Sequence, residues 1–239
     1  MMDDVYNLIF GTWYSAFIGT FLFFNIIYWG LTFLASIVFG YFESKSKVAK
    51  VDNHFYHQGQ LKKEKLQSMR SIFIFSVQGI LIQQGLARGW FHIQPEISWW
   101  LILQITILFL WNEVHFYLCH LLLHTKIMMR NFHHVHHHSK EPTLFSTFSF
   151  HAVEAFLLGT VVFFPLVIYA FQLLAIFSLP VVSLIINLLG HSNYDFFSEH
   201  HPKDILKFSY RHSMHHKLGK GNLGFLLPWL DQLFKTSAK

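Results

Sequence analysis

The chain has a single cysteine, Cys119. That excludes a disulfide framework, a CxxC metal site, a cysteine-held iron–sulfur cluster and covalently attached haem, and Cys119 reads as a small packing residue. Charge is scarce as well. Asp, Glu, Lys and Arg make up 13% of the residues against 53% hydrophobic, where soluble domains carry about 25% charged. With 28 phenylalanines, this deficit points to a polytopic membrane protein. Basic residues are missing before Lys45 and again between Lys140 and Lys203. The net charge of +5 is therefore patterned along the chain and reports topology, not a nucleic-acid partner. Asp3 and Asp4 stand where a secretory signal has a basic start, so no cleavable signal is expected. There is no HExxH, and no Glu is followed at +3 by His; the zincin and carboxylate di-iron patterns are thereby removed. No Gly-rich phosphate loop, nucleophile elbow, internal repeat or low-complexity linker is found.

What is present alternates between apolar runs and basic, polar ones. Residues 5–42 are apolar and aromatic, long enough for one spanning helix of about 20 residues behind a short leading segment. The stretch 43–70 carries seven basic residues, Lys45, Lys47, Lys50, Lys62, Lys63, Lys65 and Arg70, against Glu43, Asp52 and Glu64. The positive-inside rule makes it a cytosolic loop. A second span is expected over 71–87, a brief outer loop over 88–96, and a third span from 97 to about 118. The segment 125–147 is polar and basic and belongs at the cytosolic surface. Residues 152–189 are apolar again. The basic residues after Lys203 put the chain back on the cytosolic side, so this run must cross twice or form a hairpin. The expected fold is all-α: a membrane bundle of about four to five helices under a cytosolic, histidine-rich helical cap. It divides into membrane spans over 1–96 and a site-bearing region over 97–239.

Fifteen of the 18 histidines fall between His115 and His216. Three blocks have metal-ligand spacing: His120 and His124; His133, His136 and His137; His212, His215 and His216. On a helix, positions i, i+3 and i+4 share a face. Eight converging ring nitrogens are too many for one ion and about right for two. Imidazole suits zinc, copper, iron and nickel, not magnesium or calcium, which take oxygen. The second block has an open register, because His134, His137 and His138 repeat the spacing; Phe132 and Val135 favour the earlier one. His115 is open between ligand and packing residue. His54, His57, His92, His200 and His201 fit no block and read as surface residues.

The order of these blocks resembles the membrane-bound fatty acid hydroxylase, or sterol desaturase, superfamily. The resemblance is carried by Phe116-Tyr117 before the first block and by Phe132 to Ser139 around the second. Pro142-Thr143, His151-Ala-Val-Glu154 and Gly190-His191-Ser-Asn-Tyr194 continue it. Arg211 to His216, Asn222-Leu-Gly224 and the closing Trp229-Leu-Asp231-Gln-Leu-Phe234-Lys-Thr236 complete it. It implies two irons held by the eight histidines above, with His191 a further ligand and His151 undecided, and it allows zinc to substitute in purified protein. It implies O2-dependent hydroxylation or desaturation of a lipid such as a fatty acyl chain, sphingolipid or sterol. Electrons come from an external b-type cytochrome or ferredoxin with its reductase. The implied setting is the endoplasmic reticulum in a eukaryote or the inner membrane in a bacterium. Two departures stand out: Leu121 where many members have Arg, and Lys235-Thr236 where many end in Gly-Thr. The competing reading is a non-enzymatic membrane protein that binds or transports metal. A haem protein is a weaker third, since haem needs one axial pair.

Overall fold

The computed structural model describes residues 2–45, 48–52 and 57–238; Lys47 and His54 lie outside them. Helix α1 (Met2–Phe10) leads into α2 (Trp13–Ser44), which opens on a capping box between Thr12 and Ser15. At 32 residues, α2 is about 48 Å long, enough to cross a bilayer. Leu22, Ile26, Phe33 and Leu34 stand exposed along it, the pattern of a lipid-facing surface. Helix α3 (Gln60–Ala87) packs on α2. Gly79 permits the close approach, because a Cβ there would lie 2.5 Å from Thr20 Oγ1 and 3.1 Å from the Ala16 carbonyl.

The second span therefore begins earlier than expected. Residues 60–70 are not loop but the first turns of α3, since Gln, Leu, Lys, Glu, Met and Arg are all good helix formers. Helix α4 (Leu101–Leu123) follows the loop after α3 and carries His120 in its last turn. Then come α5 (Lys126–Asn131) and two 3₁₀ stretches, His133–His138 and Leu144–Phe148. The expected hairpin is formed by α6 (Ala152–Gly159) and α7 (Phe163–Ile168) running one way and α8 (Leu173–Gly190) returning. Its turn lies at the end away from the histidines. There Ile93 and Gln94 pair in parallel with Phe171 and Gln172, and Gln104 Oε1 accepts from Gln172 N at 2.7 Å. Helices α9 (Phe208–Leu218) and α10 (Trp229–Leu233) close the cap.

Among the described residues three helices, α2, α4 and α8, are long and apolar enough to cross a membrane. The shorter apolar segment Ala152–Ile168 joins them, so the number of apolar helices is roughly that expected. The bundle's two largest apolar cores join most of these helices. One joins α2, α3, α6 and α8 through Tyr28, Ile72, Phe75, Ala155 and Leu184. The other joins α4, α7 and α8 through Leu108, Leu166, Ile176 and Leu179.

Candidate metal centre

The three blocks converge on two groups; the first block falls wholly in one of them, and the second and third are each divided between the two. His120, His124, His133, His137 and His215 form one; His136, His191, His212 and His216 form the other. Within each group one ring nitrogen per residue lies within 4.8 Å of every other. The groups adjoin: the ring centroids of His137 and His216 are 5.0 Å apart, and those of His133 and His136 are 5.6 Å apart. The blocks come from the last turn of α4, the 3₁₀ stretch and α9. The second block is thus 3₁₀, not α-helical. The break is at Phe132, whose φ of −130° is not helical.

Hydrogen bonds on the far side of the rings fix which nitrogen points inward. Nδ1 of His120 donates to the Leu223 carbonyl at 2.8 Å, that of His136 to the Ser149 carbonyl at 3.3 Å, and that of His215 to the Gly221 carbonyl at 2.6 Å. His133 Nδ1 donates to Glu154 Oε1 at 2.9 Å. His191 Nδ1 lies 2.6 Å from Ser146 Oγ, whose own proton goes to the Thr143 carbonyl, so His191 is the donor. These five rings therefore aim lone pairs of Nε2 into the groups.

Inside, Nε2 atoms stand 3.1 Å apart in His133–His137 and His137–His215, and 3.2 Å apart in His124–His215. In the other group His191–His212 is 2.8 Å and His212–His216 is 3.2 Å. Lone pairs at such distances repel unless a cation lies between them. Neighbouring nitrogens around an ion at about 2.1 Å are separated by roughly 3.0–3.4 Å. The donor set and its spacing therefore fit two metal ions.

Burial reinforces this. It lowers His215 to about 4 and His124 to about 3, and in His124 the neighbouring His215 adds to the effect. His133, His136, His137, His191, His212 and His216 are likewise pushed down, by burial first and nearby imidazoles second. The rings are neutral at physiological pH, which is the form that binds metal.

Residues 105–236 match the fatty acid hydroxylase family, more than half of the chain. The chain belongs to that family. Among its relatives are methylsterol monooxygenase 1 of Rattus norvegicus, 27% identical over 52% of this chain and 42% of its own length, and the C-4 methylsterol oxidase of Schizosaccharomyces pombe, 31% identical over 57% and 47%. A third, from Dictyostelium discoideum and named provisionally as a methylsterol monooxygenase, is 28% identical over 61% and 54%. The chain spans about half the length of these curated relatives. No solved structure matches it.

The remaining described histidines of this fatty acid hydroxylase member fall outside both groups. His134 and His138 are exposed. His151 caps α6, its Nδ1 accepting from Val153 N at 3.1 Å. His115 Nε2 meets Thr160 Oγ1 at 3.0 Å, and Cys119, half-buried, lies beside it. His57, His92, His200 and His201 are exposed.

Several supporting residues were not singled out by spacing. Glu154 lies in a quoted motif but shows its role only in contact with His133. Ser146 left no signal. Glu64, read above as one acid in a basic loop, is buried. It accepts from Gln60 Nε2 at 2.8 Å, Ser139 Oγ at 2.7 Å and Thr143 Oγ1 at 2.5 Å. Gln67 Oε1 accepts from Ser149 Oγ at 2.6 Å. The stripe Gln60, Glu64, Gln67, Ser71 has helical spacing, and that was the available clue.

Below the histidines lies an apolar cavity of about 150 Å³. It is lined by α4 and the hairpin, and also by α2 and α3 through Phe23, Phe24 and Phe75. Phe116, Phe150, Leu158 and Asn187 line both this cavity and a small one that touches His120, His133, His136 and His212.

Proposed function

We propose that this chain is an oxidoreductase that uses O2 to hydroxylate, or desaturate, an unactivated C–H position of a membrane lipid. The substrate class is a sterol, fatty acyl or sphingolipid chain, and the names of the relatives favour a methylated sterol. The observation that carries the reading is the contact between two groups of buried neutral imidazoles and an apolar cavity among membrane helices.

Two irons are the metals that suit the reading. His120, His124, His133, His137 and His215 would hold one, and His136, His191, His212 and His216 the other. When bound, such a pair supplies the reductive activation of O2. The protein's own part is positioning. Phe23, Phe24, Phe75 and Phe177 hold an apolar substrate by burial and keep water out, and the gap between Phe116, Phe150 and Leu158 directs a C–H group toward the rings. Glu154, Ser146 and the carbonyls of Ser149, Gly221 and Leu223 keep the nitrogens aimed inward; such outer partners govern metal affinity.

Electrons come from a separate donor, a b-type cytochrome or a ferredoxin with its reductase. Lys126, Arg130, Lys140, Lys217 and Lys220 are exposed on the cap and would attract an acidic donor. The cap faces the cytosol, from the endoplasmic reticulum of a eukaryote or the inner membrane of a bacterium.

Lipid mass spectrometry of cells expressing the wild-type chain or His136→Ala tests the reading. A lipid gaining one oxygen, or losing two hydrogens, only with the wild type is expected. Identical lipid profiles with a wild type that carries two irons would overturn it.

A further inference from the structure

Two of the five rings in the larger group, His120 and His215, are aimed by carbonyls of one short loop, Leu223 and Gly221. No ring of the smaller group depends on that loop. His136 and His191 are aimed by Ser149 and Ser146, which follow the second histidine block. The outer supports of the two groups are therefore separate pieces of chain.

The loop is held by carboxylates that touch no histidine of the groups. Asp231, buried in α10, accepts Leu223 N on Oδ1 and Gly224 N on Oδ2, both at 2.8 Å. Oδ1 also takes the Thr236 hydroxyl at 2.6 Å. Glu113, buried in α4, accepts Leu226 N at 3.2 Å and Leu227 N at 2.9 Å on Oε2. Asn222 Nδ2 reaches the Arg211 carbonyl at 3.2 Å. A carboxylate that accepts two adjacent backbone N–H groups fixes the peptide planes between them, and hence the direction of the carbonyls.

We infer that Asp231 and Glu113 are positioning residues for one metal ion only, the one held by His120, His124, His133, His137 and His215. They act through the backbone of 221–227. The inference rests on the two-ion reading above. Replacing Asp231 with Asn puts an amide N–H against one backbone N–H and frees the Leu223 peptide to rotate.

The test is cobalt(II) binding to the full chain in lipid nanodiscs, by chelator competition and visible spectrum. The wild type is expected to bind two ions. Asp231→Asn should bind one ion as before and the other about 10–100-fold more weakly, the usual effect of losing an outer partner. Ser146→Ala should weaken the opposite ion. The spectra of the cobalt retained by the two variants should differ and add to the wild-type spectrum. Glu113→Gln is a second route to the same loop and should match Asp231→Asn. If Asp231→Asn misfolds, the comparison of Glu113→Gln with Ser146→Ala decides. A wild type with two ions, and loop variants that weaken both ions or neither, overturns this inference alone. A wild type that takes up fewer than two ions overturns the two-ion reading and the inference with it.

Discussion

The membrane bundle and the histidine cap are built inside out relative to each other. The bundle shows Leu22, Ile26, Phe33, Ile102 and Leu110 on its outside. The cap shows Lys126, Arg130 and Lys140 outside and buries imidazoles and carboxyl groups within. In the bundle, apolar surface needs no partner, because lipid is the solvent; helices associate by close contact at small residues such as Gly79 and Ala16. In the cap, every buried polar atom needs a partner or its desolvation is uncompensated. The cap is therefore the half that responds to acid, to metal and to the loss of single acceptors.

The largest expected effect is of pH on metal-free protein. Burial lowers His215 to about 4 and His124 to about 3, against about 6.5 in an unfolded chain. The unfolded state then binds more protons than the folded state over this interval. Stability is full above pH 6.5 and is lost as pH falls toward 4, by about 3 kcal/mol from His215 alone. Denaturant titrations of the chelated protein between pH 7.5 and 4.5 measure this. A midpoint that does not move would mean that the rings are hydrated or already protonated, and the contrast between the halves would fail.

Next is Glu64→Ala. It strips the acceptor from Ser139, Thr143 and Gln60 at once and should cost about 2–3 kcal/mol. Thr20→Ala, at the bundle's close contact, should cost less than about 1 kcal/mol, since its hydroxyl returns to the Ala16 and Phe17 carbonyls of its own helix, one turn back. Equal losses in the two variants would show that the bundle relies on polar pairing as much as the cap does.

The two halves were also unequally legible in the sequence. The bundle was readable because span length and charge placement are local properties. The histidine ligand candidates were readable because helical spacing holds whatever surrounds it. Glu64 was not, because a buried acid next to Lys62, Lys63 and Lys65 looks like a solvated charge until Ser139 and Thr143 come to it from 75 and 79 residues away. The division of the second and third blocks between two groups was hidden too. It depends on how α4, α9 and the 3₁₀ stretch meet, and spacing within a block carries no record of that.

Between the halves lies Gly159, where α6 passes Gln78. A Cβ there would stand 1.9 Å from Gln78 Oε1. Gly159→Ala must therefore displace the amide, which now donates to the Phe156 carbonyl at 2.8 Å. A loss of about 1–2 kcal/mol is expected, and Gln78→Ala added to it should recover part of that loss. The double-variant cycle reads the coupling directly. Additive losses would place the strain elsewhere in the hairpin.

The smallest effect lies at the end of the cap, where the sequence departs from the pattern of its family. Lys235 has φ +58°, the left-handed region in which a side chain crowds its own backbone. The turn is needed, because it brings Thr236 back to Asp231, with Thr236 N on the Asp231 carbonyl at 2.9 Å and its hydroxyl on Oδ1. Glycine, the residue many family members carry here, adopts this φ freely. Lys235→Gly should raise stability by about 1 kcal/mol, despite glycine's greater freedom when unfolded. Lys235→Ala keeps the Cβ and should gain nothing, so the pair separates backbone strain from removal of a charge. Equal gains in both variants would assign the effect to charge, and the turn would then be an unstrained one.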